Sequence, residues 1–259
     1  MNYSITVIIP TYNSSSYIEK PILSVAKQSY SVKKIIIVDD NSEDIDELKV
    51  KLETLKKKLF SNIELIQNKE NLGPGQSRNN AWKKCKTNLI AFLDDDDCWV
   101  KDKIENQLKI FEKYKDVSLV SSKKLFTIKN TISLRKISKI KKINFFSLIF
   151  KNYISTSTVI LKTSIKHRFL NARYAEDYFL WLSITKDKDS CYFINEYMCE
   201  ELDIKKDIKL SKNQVEIKKN INKILSTFYN DNISNNLIIF IAKIYNNFKI
   251  NIKIIFKLS

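Results

Sequence analysis

The chain has 259 residues and a formal net charge of +16 at pH 7. This length can bury one sizeable core, or a core with a smaller appendage, and the charge favours an anionic partner such as phosphate, nucleic acid or a membrane surface. The chain has a single histidine, which argues against a histidine-rich metal centre. The spacing of the four cysteines and the lack of a signal-peptide pattern argue against a disulfide-stabilised secreted protein. The lack of a long uncharged apolar stretch argues against a membrane-spanning protein.

Apolar runs typical of buried strands alternate with helical periodicities up to about residue 121. Strands are predicted at Ile5–Ile9, Ile35–Val38, Ile63–Gln67, Leu89–Leu93 and Val117–Val120. Helices are predicted at Ser14–Ser29, Asp44–Leu59, Gln76–Lys84, Lys101–Tyr114 and Asp177–Thr185, followed by a helical C-terminal segment. The alternation implies an α/β fold with a mostly parallel central sheet and helices on both faces.

Polar residues follow three of the predicted strands at the points where those strands end. The first strand is followed by Pro10, Thr11, Tyr12 and Asn13, the second by Asp39, Asp40, Asn41 and Ser42, and the fourth by Asp94, Asp95, Asp96 and Asp97. An α/β sheet binds its ligands beyond the carboxyl ends of its strands, so these residues are candidates for a site. Four adjacent carboxylates repel one another, and Mg²⁺ or Mn²⁺ would remove that repulsion; a solvated acidic loop is the alternative.

Both glycines of the chain, Gly73 and Gly75, fall in the segment after the third strand. Because glycine is so scarce here, the pair indicates either unusual backbone dihedral angles or a close approach of the backbone to another group, and a plain turn is the alternative. Arg78 follows at the start of a predicted helix, where its guanidinium could pair with a phosphate. Neither a GxGxxG fingerprint nor a phosphate-binding GxxxxGK[ST] loop is present.

Five segments together resemble the family 2 glycosyltransferases of the GT-A fold, a Rossmann-like α/β architecture. They are Val7–Asn13, Ile37–Ser42, Asn71–Asn79, Leu93–Asp97 and Tyr174–Leu182, and the resemblance reaches to about residue 190. One departure is Asn41, which stands where many members have glycine.

The resemblance implies a site for a nucleoside-diphosphate sugar and a divalent cation. The residues implied in donor binding are Pro10, Thr11, Tyr12, Asn13, Asp39, Asp40, Arg78, Asp94 and Asp95. Asp96 together with Asp94 would ligate Mn²⁺ or Mg²⁺. Because all four residues of the cluster are aspartate, this assignment is open by one position, with Asp95 and Asp97 as alternatives.

Asp177 is predicted to be the general base that takes the proton from the acceptor hydroxyl, and Glu176 is the second candidate. A helix-capping acidic pair is the structural alternative for these two residues. A single displacement with such a base would invert the anomeric centre, and the resemblance implies the same outcome.

The remaining sequence is basic and apolar. No acidic residue occurs from Lys123 to Lys151, and the region after about Lys205 mixes lysine with isoleucine, leucine and phenylalanine. Such segments are predicted to lie on an anionic membrane surface, with ordinary lysine-rich solvent faces as the alternative. No nucleic-acid-binding module is recognised, so nucleic acid is not an expected partner.

The sequence therefore predicts a catalytic domain over residues 1–205 and a basic amphipathic segment over 206–259, with a nucleotide-sugar half at about 1–121 and an acceptor half at about 122–205. The predicted function is metal-dependent, inverting transfer of a sugar, from a UDP-sugar, to a saccharide or lipid-linked saccharide in surface polysaccharide or glycolipid synthesis. The expected location is cytoplasmic, peripheral on the inner face of the cell membrane. A sugar nucleotidyltransferase and a non-catalytic basic module that binds membrane or nucleic acid are the alternatives.

Overall fold

A computed structural model describes residues 2–125, 140–187, 189–204, 214–228 and 236–245. The strands are β1 (Ile5–Thr11), β2 (Lys34–Asp39), β3 (Ile63–Gln67), β4 (Leu89–Phe92), β5 (Asp97–Trp99), β6 (Val117–Leu125), β7 (Ile140–Ile143), β8 (Ile160–Lys162) and β9 (Ser190–Glu201). The helices are α1 (Glu19–Ala26), α2 (Ile45–Lys58), α3 (Pro74–Trp82), α4 (Lys103–Lys113), α5 (Phe145–Phe150), α6 (Glu176–Lys186), α7 (Gln214–Ser226) and α8 (236–245). A 3-10 turn spans Thr156–Thr158.

The strands form one sheet in the order β3-β2-β1-β4-β8-β6-β9-β5, with β7 paired to β9. The parallel pairing expected from the strand–helix alternation holds for β3, β2, β1 and β4. Beyond β4 the pairing is mixed, because β8 lies between β4 and β6 and runs antiparallel to both. With only three residues, β8 has no detectable periodicity, and the sequence did not predict it. Its insertion separates the fifth predicted strand, β6, from β4.

Helix boundaries differ from the predictions where a cap or turn sets them. The first helix begins at Glu19 rather than Ser14, because the backbone N–H groups of Tyr17 and Ile18 both donate to the Ser14 carbonyl in a preceding turn. The third begins two residues early, at Pro74, whose missing N–H costs nothing at the first helical position. The α6 helix begins at Glu176, so that both predicted catalytic acids lie in its first turn.

Hydrophobic side chains pack on both faces of the sheet. Along β1, Val7 and Ile9 belong to one buried cluster, whereas Ile8 between them belongs to the other, as strand alternation requires. Helices α1, α2 and α4 contribute to the first cluster, and α3, α6, α7 and α8 contribute to the second. The strand ends that carry the polar residues therefore sit on a rigid two-sided core.

The C-terminal helices pack on this core. Leu225 of α7 and Ala242 of α8 are fully buried in the cluster that also contains α6. In α5, Leu148 and Ile149 are fully buried too, so the membrane prediction for Lys136–Lys151 is wrong for these two side chains. Residues 126–139 and 205–213 lie outside the described residues, and the boundary at residue 205 stays a prediction. None of the helices in the described ranges has the length and apolar character that a bilayer span requires.

Candidate active site

The loop after β1 is held by Asp95 of the acidic cluster. One oxygen of Asp95, Oδ2, accepts hydrogen bonds from the Thr11 hydroxyl at 3.1 Å and from the Tyr12 backbone N–H at 3.3 Å. Pro10 and Thr11 are buried at the end of β1, and the Tyr12 side chain is 47% exposed. Of the loop residues predicted to bind a nucleotide, Tyr12 and Asn13 are thus the exposed ones.

The loops after β1 and β2 are joined to each other. The Asn13 backbone N–H donates to the Ser42 hydroxyl at 2.9 Å, and the Glu43 N–H donates to the Asn13 side-chain oxygen at 2.9 Å. Both Asn13 and Asn41 have left-handed backbone conformations, with φ of 51° and 65°. Asparagine tolerates this conformation better than other residues with a side chain, which explains why Asn41 can stand where glycine is common.

The two aspartates that end β2 have different environments. Asp40 accepts three hydrogen bonds: from the Asn68 side chain at 2.8 Å, and from the backbone N–H groups of Leu72 and Gly73 at 2.9 and 2.7 Å. Asp39 is fully buried and accepts one hydrogen bond on Oδ2, from the Ser42 N–H, while its Oδ1 has no partner among the described residues. This geometry favours Asp40 as the anchor of the glycine-containing loop and leaves Asp39 with an acceptor for a ligand.

The two glycines serve two different needs. Gly73 has φ of +82°, the unusual dihedral angle expected for one of the pair. At Gly75 a Cβ atom would lie 2.6 Å from Cγ of Glu176 and 3.3 Å from the Leu170 carbonyl oxygen. The second glycine therefore lets α3 approach the first turn of α6, which carries the predicted catalytic acids.

Arg78 joins the acidic cluster after β4 to the first turn of α6. Its guanidinium forms ion pairs with Asp94 at 2.5 Å and with Glu176 at 3.2 Å, and lies 5.2 Å from the centre of the Phe169 ring. The side chain is only 4% exposed. In the structure the two ion pairs use this guanidinium to position Asp94 and Glu176. The contact of Arg78 with a nucleotide stays a prediction.

Three carboxylates of the cluster converge. One oxygen each from Asp94, Asp96 and Asp97 lies within 4.8 Å of the others. Lys124, near the end of β6, pairs with Asp97 at 2.7 Å, and the second Asp97 oxygen is buried without a partner among the described residues. Three carboxylates that converge in this way offer hard oxygen donors, which fit a divalent cation. Asp95, the alternative ligand, instead holds the β1 loop, whereas Asp97 joins the predicted pair.

The 3-10 turn lies between the two sets of acids. The Thr156 hydroxyl donates to Asp177 Oδ2 at 3.0 Å, and the next residue, Ser157, accepts the Asp94 backbone N–H on its hydroxyl at 3.1 Å. Asp177 also accepts the Tyr178 N–H at 2.7 Å. The preceding residue, Ala175, has φ of 58°, a strained conformation for alanine at the point where α6 begins.

Burial and neighbouring charges separate the pKa values of these acids. Burial, reinforced by the negative charge of Asp177, raises the pKa of Glu176 to about 7 although Arg78 opposes the shift. Burial also raises the pKa of Asp177. At Asp94 burial acts in the same direction, but the positive charges of Arg78 and Lys124 outweigh it and lower the pKa. A raised pKa makes a carboxylate a stronger proton acceptor, so these shifts suit both Asp177 and Glu176 to act as a base.

Sequence reasoning missed three residues of this site: Lys124, Thr156 and Ser157. None belongs to a motif, and each acts through a partner distant in sequence, such as Asp97 for Lys124. The sequence prediction ended this strand at Val120, and Lys124 lies on the continuation of β6 to Leu125 that the sequence did not predict.

Comparison with known proteins identifies a family. The model described as Glycosyl transferase family 2 matches residues 6–174, and the last predicted motif, Tyr174–Leu182, lies at and beyond the end of this match. WfgD of Escherichia coli, a UDP-Glc:alpha-D-GlcNAc-diphosphoundecaprenol beta-1,3-glucosyltransferase, is 33% identical over 198 residues, covering 74% of this chain and 76% of WfgD.

Solved structures share the fold. Residues 1–349 of S. aureus TarS, crystallised in complex with UDP-GlcNAc, superpose with a TM-score of 0.72 at 20% identity, over 91% of this chain and 70% of that one. The mannosyltransferase PcManGT of Pyrobaculum calidifontis, in complex with GDP-Man and Mn²⁺, gives 0.68 at 17% identity, over 95% and 70%. These two likenesses confirm the GT-A architecture predicted from the sequence.

Proposed function

The chain belongs to glycosyl transferase family 2, and from this premise we propose that it transfers a sugar from a UDP-sugar to a lipid-linked saccharide, with inversion at the anomeric carbon. The observation that carries the proposal is the continuous link from Asp94 through Arg78 to Glu176, beside Asp177. It holds the acids of the predicted donor and acceptor halves in one site. Membership in the family also leaves the nucleotidyltransferase and non-catalytic alternatives without support.

The donor side fits a nucleoside diphosphate. Asp39 Oδ1 is a buried acceptor without a partner among the described residues, so a ligand N–H, such as that of a uracil ring, would satisfy it. The exposed Tyr12 ring, in the loop after the neighbouring strand β1, offers a face for stacking. The relative WfgD is named for a UDP-Glc donor, and UDP-glucose is therefore the first donor to test.

The proposed reaction is a single displacement. The acceptor hydroxyl oxygen attacks the anomeric carbon of the donor, the bond from that carbon to the diphosphate oxygen breaks, and the hydroxyl proton passes to the Asp177 carboxylate. Thr156 and the Tyr178 N–H fix the orientation of this carboxylate. Attack opposite to the leaving group inverts the anomeric configuration.

Asp94, Asp96 and Asp97 would hold a divalent cation, Mn²⁺ or Mg²⁺. The chemistry that such an ion supplies is neutralisation of the negative charge on the departing diphosphate. Lys124 engages one Asp97 oxygen and Arg78 engages one Asp94 oxygen, so each of these two carboxylates would offer its second oxygen to the ion.

A lipid-linked acceptor is proposed from the relatives. WfgD is named for an acceptor joined to diphosphoundecaprenol, and the charge of +16 on this chain would favour both a diphosphate group and an anionic membrane that carries it. This supports peripheral attachment to the inner face of the cell membrane.

The first experiment separates binding from chemistry. Transfer from radiolabelled UDP-glucose to a diphosphopolyprenol-linked N-acetylglucosamine is measured with Mn²⁺ present, and donor affinity is measured by calorimetry. Asp177→Asn should leave affinity within about twofold but lower the transfer rate by about a thousandfold, because a base acts only as the acceptor attacks. Asp39→Ala should weaken donor affinity by about tenfold through loss of one buried hydrogen bond.

The matched control is Asp187→Asn, which changes an exposed aspartate at the other end of α6 and should leave both quantities unchanged. If Asp177→Asn retained most of its turnover, Asp177 would not be the base, and Glu176 would be tested next. A product with retained anomeric configuration in its NMR spectrum would contradict single displacement. No binding of any UDP-sugar would contradict the proposed donor.

A second experiment tests the cation. Asp96→Asn should abolish most transfer, because it removes one of the carboxylates that would hold the ion. EDTA should abolish transfer reversibly in the unaltered protein, because it removes the ion itself. Binding of Mn²⁺, followed by the loss of its free electron paramagnetic resonance signal, should weaken in Asp96→Asn. Full transfer in EDTA would show that the reaction needs no metal.

A further inference from the structure

The outward face of α8 is apolar. Leu237, Phe240, Ile241, Ile244 and Tyr245 are between 45% and 57% exposed among the described residues. At about 100° per residue, positions 237, 240, 241, 244 and 245 form one continuous stripe along the helix. This group of five side chains is called the α8 stripe below.

The opposite face of the same helix is also apolar. Ile239 and Ala242 are buried in the core cluster, where α7 contributes Ile224 and Leu225. A helix with apolar side chains on opposite faces is normally buried, yet among the described residues the outward face stays about half exposed, although the Tyr245 ring contacts Phe150. The α8 stripe therefore has the character of a contact surface rather than of an ordinary solvent face.

Charge distinguishes between the possible partners of this surface. By sequence, residues 232–259 contain four lysines and no acidic residue, and the whole chain carries +16. A second copy docked on the stripe would bring two strongly positive surfaces together. Anionic lipid headgroups would instead be attracted to the lysines while the apolar side chains enter the boundary between headgroups and acyl chains.

We propose that the α8 stripe is the surface by which this protein attaches to an anionic lipid bilayer. The attachment is peripheral, with the helix lying in the plane of the interface. This narrows the broad basic region identified in the sequence to one helix face, and excludes the buried side chains of α5 from lipid contact.

Contacts connect this surface to the acceptor half of the site. The Tyr245 ring centre lies 6.2 Å from that of Phe150 in α5, and the Tyr178 hydroxyl of α6 donates to the Leu148 carbonyl of α5 at 2.9 Å. The helix that carries Asp177 is thus two packing contacts away from the stripe. The benefit of this placement, access to a lipid-linked acceptor, rests on the proposed function, whereas the attachment itself does not.

The test uses the full chain and flotation with vesicles of equal parts phosphatidylglycerol and phosphatidylcholine. The double variant Phe240→Ser, Ile244→Ser should lower the partition coefficient by about tenfold or more, because the removed side chains are exposed and apolar. The matched α2 control combines Val50→Ser in α2 with Leu59→Ser at its C-cap; it removes two exposed apolar side chains elsewhere and should bind as the unaltered protein does. Circular dichroism confirms that each variant is folded.

Three results would overturn the proposal: no binding of the unaltered protein to the anionic vesicles, equal loss of binding in the α2 control, or equal binding to pure phosphatidylcholine vesicles. A dimer in light scattering that the α8 variant converts to a monomer, without vesicle binding, would assign the stripe to self-association instead. Hydrolysis of donor UDP-sugar without vesicles should be unchanged in the α8 variant, so that failure of attachment and failure of the proposed chemistry are distinguished.

Discussion

Gly75→Ala should destabilise the protein, although glycine to alanine within a helix ordinarily stabilises by about 0.5–1 kcal/mol. The added Cβ would lie 2.6 Å from Cγ of Glu176, where ordinary contact begins at 3.4 Å, and 3.3 Å from the Leu170 carbonyl oxygen. Because Cγ of Glu176 is close to the backbone of α6, the clash can be relieved only if the Glu176 side chain rotates or if α3 and α6 separate. Overpacking of this kind costs about 1–3 kcal/mol. At 2 kcal/mol the melting temperature falls by roughly 6 °C.

A double-mutant cycle identifies the clashing group. In a Glu176→Ala background the Cγ atom is absent, so Gly75→Ala should cost less than about 0.5 kcal/mol there, and a coupling energy of about 1.5 kcal/mol should appear between the two positions. The free energy of unfolding is measured by urea titration with tryptophan fluorescence. An equal cost in both backgrounds would assign the clash to Leu170, and a neutral or stabilising Gly75→Ala would refute the close approach of α3 and α6.

Three further predictions use the same urea assay, with EDTA present. The free energy of unfolding should fall as pH rises from 5 to 7, because burial raises the pKa of Glu176 to about 7 in the folded protein from its ordinary value of 4.5, so up to about 3 kcal/mol of stability present at low pH is lost as pH rises through 7. Glu176→Gln should make the free energy of unfolding depend less on pH. The dependence that remains is due to Asp97, because burial raises the pKa of Asp97 to about 7 as well. Lys124→Met should lower the free energy of unfolding by about 3 kcal/mol at pH 8, since it leaves Asp97 as an uncompensated buried charge. The loss should be smaller at pH 6, where Asp97 is protonated. Equal losses at the two pH values would contradict this prediction. Burial lowers the pKa of Lys103 to about 7 from its ordinary value of 10.5, so the stability that the neutral Lys103 side chain contributes should be lost as pH drops from about 10 to 7; Lys103→Met should abolish this loss, and an unchanged profile would show that Lys103 is not the cause.

The sequence predicts best what depends on neighbours in the chain. The apolar runs located β1 to β4, and the scarcity of glycine identified both Gly73 and Gly75 as positions of backbone constraint. Each of these inferences uses residues within one short segment.

Pairings between distant segments could not be predicted. Arg78 was expected at a phosphate, but it binds Glu176, 98 positions away, and this contact exists only because α3 packs beside α6. Asp95 and Asp97 are two positions apart and chemically identical, and only the fold directs one to the β1 loop and the other towards Lys124. The three-residue strands β5 and β8 carry too few residues to show a period, so these two strands of the mixed half of the sheet left no pattern.

The left-handed conformation of Ala175 has a consequence for how this chain can change over time. A strained alanine costs about 1 kcal/mol or more, and the cost persists because the residue fixes where the helix bearing Glu176 and Asp177 begins. Selection for tolerance of higher temperature would therefore be expected to alter the exposed lysine-rich helices, where substitutions are nearly neutral for activity, and to leave this turn intact. Stability and activity would then evolve in separate parts of the chain.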